Sequence, residues 1–109
     1  METPVRQEAD ALMIERIVLI KLVDEEIRRR PEIAEYSRDV LRLIPGVGDV
    51  HVGLPADEPS AAAWDLALVL RFRSLDDVEA YRVHPDHRAY VDSYLKPRMV
   101  AITAWNFEV

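Results

Sequence analysis

No cysteine occurs anywhere in the 109 residues of this chain. Disulfides, thiolate metal sites and thiol nucleophiles are excluded, and a reducing, cytoplasmic compartment is the expected setting. Glycine is nearly as scarce, with three residues. Its one local cluster, Pro45-Gly46-Val47-Gly48, is too short for a phosphate loop and ends a helix instead of opening one. Positive charge is outweighed, 14 Lys and Arg standing against 20 Asp and Glu for a formal net charge of −6. The one dense basic run, Arg28-Arg29-Arg30, is flanked by Glu25, Glu26 and Glu32. That pattern suits a solvated helical face laced with ion pairs, so nucleic acid is not an expected partner. Apolar residues never run for the ~18 positions of a membrane span, and the opening METPVRQEAD lacks a basic-then-apolar targeting pattern. No membrane association is expected.

Hydrophobic residues, at 50%, and charged residues, at 31%, give a globular composition at single-domain length. Residues 1–12 are polar and aperiodic and read as a flexible leader, leaving 13–109 as the folded domain. Met13 to Val23 is rich in β-branched and aliphatic residues and predicts a strand. Arg16, Val18, Ile20 and Leu22 share one of its faces; Ile17, Leu19, Lys21 and Val23 share the other. From Asp24 the period changes, and Ile33, Ser37, Val40, Leu41 and Ile44 predict an amphipathic helix from about Pro31 to Leu43. Val47 to Leu54 alternates as a second strand, and Pro55 to Ala63 reads as a mobile loop. Trp64 to Phe72 predicts a central third strand. Ser74 caps a second helix with an inner stripe of Leu75, Val78 and Tyr81. Pro85 breaks that helix, which restarts toward Tyr90, Val91, Tyr94 and Leu95. Met99 to Val109 is the fourth strand.

The order β-α-β-β-α-β predicts an α+β, ferredoxin-like fold, a four-stranded antiparallel sheet with both helices on one face. Strands one and three are apolar on both sides, and a bare aliphatic sheet face is rare on a soluble monomer. A second copy meeting sheet to sheet is the simplest cover; a more polar outer face would permit a monomer.

Chemistry concentrates in Tyr81-Arg-Val-His84-Pro-Asp-His87. Tyr81, His84 and His87 stand at i, i+3 and i+6, a spacing that lines one wall of a helix. An imidazole in an apolar cleft accepts a proton near neutral pH and a phenol donates to a carbonyl or enolate oxygen. Each also has a plainer role: His84 as a cap for backbone freed by Pro85, His87 as pocket wall, Tyr81 as core. His-x-x-His spacing lacks an obvious third metal ligand, so no metal is expected. Arg16 either reaches an acid such as Asp77 or Glu79, or guards the pocket for an anionic ligand. His51, on the polar face of strand two, reads as solvated.

Over about residues 15 to 108 the chain resembles the stress-responsive dimeric α/β-barrel, or Dabb, family. The carriers are IVLIKLVD, LIPGVGDVHVG, WDLALVLRFRSLDDVEAY and YRVHPDHRAYV with Pro97 beyond it. The resemblance implies a subunit that pairs its sheet with a second subunit's to close a barrel, a homodimeric α+β barrel without a cofactor. One relative, the plant olivetolic acid cyclase, performs an intramolecular aldol condensation with a histidine and a tyrosine of this segment. Carried over, the base falls on His87 and the phenol on Tyr81, with His84 as an additional wall histidine; Arg16 and Leu68 are expected beside it as substrate-binding residues. The cyclase's strand-one histidine is replaced here by Arg16, and its helix-one aromatic falls near Ser37. The function so implied is acid–base, cyclase- or isomerase-like chemistry on a small hydrophobic or aromatic, polyketide-like ligand. A non-catalytic stress or binding protein and a cofactor-free monooxygenase are the alternatives.

Overall fold

The computed structural model describes residues 13–109; the leader expected over residues 1–12 lies outside them. Four strands form one antiparallel sheet: β1 (Ile14–Leu22), β2 (Asp49–Gly53), β3 (Leu66–Phe72) and β4 (Met99–Glu108), in the order β2-β3-β1-β4. The helices are α1 (Arg30–Leu41), α2 (Glu58–Ala63), α3 (Leu75–Val83) and α4 (Pro85–Ala89). A 3₁₀ turn, Asp24–Arg29, leads into α1, and α4 runs on as a π-helical turn, Tyr90–Leu95, and a 3₁₀ turn, Lys96–Arg98. This is the expected ferredoxin-like α+β arrangement.

Alternation along the strands decides which residues meet the helices. Val18 pairs with Leu68 and Ala104 across β3 and β4, and Ile20 pairs with Leu66 and Ile102, so these residues share one face. On it Ile14, Val18, Ile20, Leu22, Leu66, Leu68, Leu70 and Phe72 are buried against Ile33 and Leu41 of α1 and Val78 and Tyr81 of α3. Pro31 sits in the first turn of α1, where its missing N–H leaves no bond unmade. Gly46, at φ 92°, turns the chain toward β2 in a conformation that side chains with a Cβ rarely adopt.

The opposite face is apolar at its centre too. Ile17 pairs with Val69 and Trp105, and Leu19 with Ala67 and Thr103. The short helix α2 flanks only the Leu19–Ala67 end of these rows, where Lys21 Nζ donates to the Ala62 carbonyl at 3.1 Å. Trp105 is 63% exposed and Phe107 51%. Polar groups mark one end of that face, where Arg71 Nε meets Glu15 at 3.2 Å and His51 meets Asp49 at 3.1 Å.

Two local expectations need correction. Residues 55–63 are not all loop: Asp57 accepts the Ser60 N–H at 3.0 Å, Pro59 occupies the first turn, and three alanines complete the short helix α2. Leu75 does not belong to the inner stripe of α3 and is 57% exposed. Two successive three-residue steps drift about 120° around a helix, which carries Leu75 out of line with Tyr81. Ser74 does cap α3, accepting the Asp77 N–H at 3.2 Å.

The largest polar feature of the interior is Asp65, which is fully buried. It accepts the Leu22 N–H at 2.7 Å and a forked pair of bonds from Arg30, Nε at 3.0 Å and Nη2 at 2.6 Å. One carboxylate thus joins the end of β1, the entry of β3 and the first turn of α1. Removing the cation leaves that carboxylate buried with a single backbone donor. Arg30→Ala is therefore expected to cost about 3 kcal/mol or more in chemical unfolding. The double variant Arg30→Ala with Asp65→Asn should recover part of that loss, and equal losses would show the pair to be uncoupled.

Candidate active site

The helix break at Pro85 creates the site. A residue before proline is pushed out of the helical region, and His84 accordingly adopts φ −64°, ψ 137°. Its ring turns back to cap the restarted helix, Nδ1 accepting the Asp86 N–H at 3.1 Å. His87, one turn into the new segment, returns toward the sheet, and its ring centroid lies 4.3 Å from that of Tyr81. Tyr81 in turn packs 5.0 Å from Phe72.

Tyr81 and His87 line a cavity of about 210 Å³ between the sheet and the α3–α4 segment, together with Arg16 and Val18 of β1, Leu68 of β3 and Ile102 of β4. Of the five residues expected at the site, Arg16, Leu68, Tyr81 and His87 are brought together. His84 is not among the lining residues. The i, i+3, i+6 spacing predicts one wall despite a kink at Pro85, but the extended conformation of His84 turns its ring to the Asp86 N–H instead.

The electrostatics of the two central groups differ. Burial pushes the Tyr81 phenol well above its ordinary value, so it remains a proton donor. Burial lowers His87 from 6.5, with Arg16, Arg88 and Arg82 acting in the same direction against a hydrogen bond to the Arg82 carbonyl. That bond, 3.0 Å from Nδ1, holds the proton of the neutral ring on Nδ1 and leaves Nε2 as the nitrogen able to accept one. Burial also lowers the Arg16 guanidinium.

Arg16 reaches neither Asp77 nor Glu79. Its Nη1 donates to Asn106 Oδ1 on β4 at 2.9 Å, while Glu79 is engaged by Arg82 at 2.8 Å. β1 and β4 are neighbours with Arg16 directly opposite Asn106, which decides the partner. Where the resemblance implied an aromatic near Ser37, the buried Ser37 hydroxyl accepts a hydrogen bond from Tyr90 at 2.6 Å. Tyr90, Val91 and Leu95 of the π turn also line the cavity. Their apolar stripe marked them as inward-facing but not as pocket wall. π turns recur at functional sites because they displace side chains from helical register.

Among the described residues no three His, Cys, Asp or Glu side chains gather where they could hold a metal ion. No helix among them is long and apolar enough to cross a membrane. A larger hollow of about 590 Å³ lies beside Leu19, Gly53, Leu54 and Trp64, but no titratable side chain lines it.

Residues 14–109 match the stress responsive A/B barrel domain, Dabb. No curated protein matches the chain in sequence. Among solved structures, a dimeric protein of unknown function with a ferredoxin-like fold from Bacteroides fragilis is 28% identical, with a TM-score of 0.72 over 89% of this chain and 96% of that one. A hydroxynitrile lyase from Passiflora edulis superposes with a TM-score of 0.67 at 12% identity, over 91% and 94% of the two chains. A candidate antibiotic biosynthesis monooxygenase from Nitrosomonas europaea gives 0.71 at 14%, over 91% of each. The latter two likenesses concern the fold alone. With the family matched from the first strand to the last residue, this chain belongs to the stress-responsive A/B barrel (Dabb) family.

Proposed function

We propose that the cavity is a proton-transfer site for a small enolisable substrate, with His87 as the base and Tyr81 as the hydrogen-bond donor to the developing oxyanion. The observation that carries this reading is the contact of the two rings inside one cavity, with the His87 tautomer held by the Arg82 carbonyl. His87 Nε2 takes a proton from a carbon beside a carbonyl, and the electron pair moves onto the carbonyl oxygen. The Tyr81 O–H stabilises that enolate. The imidazolium then returns its proton, to a second carbon in an isomerisation or to the alkoxide formed when the enolate attacks another carbonyl in a cyclisation. Neither route consumes an oxidant or a cofactor. The cavity volume is below the ~300 Å³ at which drug-sized sites begin, so a compact substrate suits it better than a long polyketide.

The working unit in this reading is a cytoplasmic homodimer joined through the uncovered sheet face. The rows containing Ile17, Leu19, Val69 and Trp105 supply the apolar centre that such an interface needs, and the Bacteroides fragilis relative is described as dimeric.

Three outcomes are expected. Exchange of α-protons of small aryl ketones in D₂O, followed by ¹H NMR, should run above the buffer rate. It should fall by about 10²-fold or more in His87→Ala with the circular dichroism spectrum unchanged; exchange indifferent to that substitution overturns the assignment. The pH dependence follows from the lowered histidine: a protonated ring accepts nothing, so exchange should decline on acidification with a midpoint below 6.5. An NMR titration of His87 should give the same midpoint, moving upward in Arg16→Gln as a neighbouring cation is removed. Sedimentation at micromolar concentration should report twice the 12.5 kDa chain mass, and Ile17→Lys with Trp105→Lys should halve it. A folded wild-type monomer would reject the sheet-face dimer.

A further inference from the structure

Three arginines line the cavity, and they are not equivalent. Arg82 donates to Glu79 at 2.8 Å, and Arg88 forks onto Asp92 at 2.9 and 3.2 Å, so each of these cations has its carboxylate. Arg16 is half-buried, and the partner it finds, Asn106, is neutral. An amide oxygen accepts one hydrogen bond but leaves the positive charge uncompensated. Glu79 lies near enough to act on Arg16 electrostatically, but its own bond is to Arg82. A guanidinium partly withdrawn from water that bonds no carboxylate among the described residues is in an unfavourable state that an anion would relieve, and burial accordingly lowers its proton affinity.

The surroundings say what kind of anion. Arg16 shares the cavity with Tyr81, whose phenol is a second donor, and with the apolar residues Val18, Leu68 and Ile102. The volume, about 210 Å³, suits one ring or a short chain with a headgroup. A planar fork of N–H donors matches a carboxylate in particular. With a net charge of −6 the chain as a whole repels anions, so attraction must be short-ranged and confined to this pocket.

We infer that the ligand of this cavity is a small organic acid, its carboxylate on Arg16 and its apolar body against Leu68, Val18 and Ile102. The inference rests on the proton-transfer reading for what happens to the ligand, and adds the chemical class that the pocket selects. Asn106 is the specificity-determining residue, since it holds the Arg16 fork in place without neutralising it.

The test compares isosteric acids and amides. Calorimetric titration of the intact protein with benzoate, phenylacetate and hexanoate, each against its primary amide, should show the acid binding at least tenfold tighter in at least one pair. Asn106→Asp changes one atom and gives Arg16 a permanent counter-ion; it should abolish that preference while leaving amide binding within about twofold. Arg16→Gln should abolish it as well, and Arg16→Lys should retain a reduced preference. No acid binding tighter than its amide, or a preference that survives Asn106→Asp, overturns the inference. Ketone exchange with wild-type protein is a separate readout: exchange without acid preference sinks this inference alone, and acid preference without exchange sinks the proton-transfer reading alone.

Discussion

A sheet whose two central strands are apolar on both sides has one side too many for its own helices. In this chain β1 and β3 lie in the middle of the sheet, and the helices bury the apolar residues of one of their faces, leaving Arg16 half-buried. The other face keeps Ile17, Leu19, Val69 and the largely exposed Trp105 in register across neighbouring strands. At ~25 cal/mol per Å² of apolar surface, covering such a face is a strong driving force even after the cost of association. The pocket depends on the same geometry. It sits on the covered side, where β1, β3 and β4 form its floor and the α3–α4 segment its roof.

That roof exists because the second helix is broken. Pro85 cannot continue α3, His84 becomes extended, and its ring is spent on the Asp86 N–H as a cap. The restart carries His87 onto Tyr81 and places Nδ1 on the carbonyl of Arg82, the residue that follows Tyr81. One proline thus does three things: it removes a histidine from the site, orients another, and fixes its tautomer. The π turn that follows brings Tyr90 onto Ser37 of α1, tying the roof to the first helix.

Buried and half-buried charge is handled in two ways. Asp65 is fully buried and fully engaged, by Arg30 and by the Leu22 N–H, and it works as a fastener between elements far apart in sequence. Arg16 is half-buried and, among the described residues, bonds an amide and no carboxylate. A satisfied pair is a structural device, whereas a cation left short of its counter-ion beside a cavity is the arrangement expected where a ligand completes the pairing.

Much of the fold was legible from local pattern. Alternation in Ile14–Leu22 and Leu66–Phe72, the change to helical period after Asp24, and the Pro85 break are properties of neighbouring residues, and period and turn chemistry act over a few positions. Tyr81, His87, Leu68 and Arg16 were recognisable as site candidates because residue type and strand face are local too. The partner of Arg16 was not: Asn106 is 90 positions away, and the β1–β4 register alone sets them opposite each other. The capping role of His84 was legible too, from Pro85 beside it, but neither the burial of Asp65 nor the hydroxyl pair of Ser37 and Tyr90 was. Each depends on where a side chain lands after the chain has packed, and nothing in sequence spacing encodes that distance.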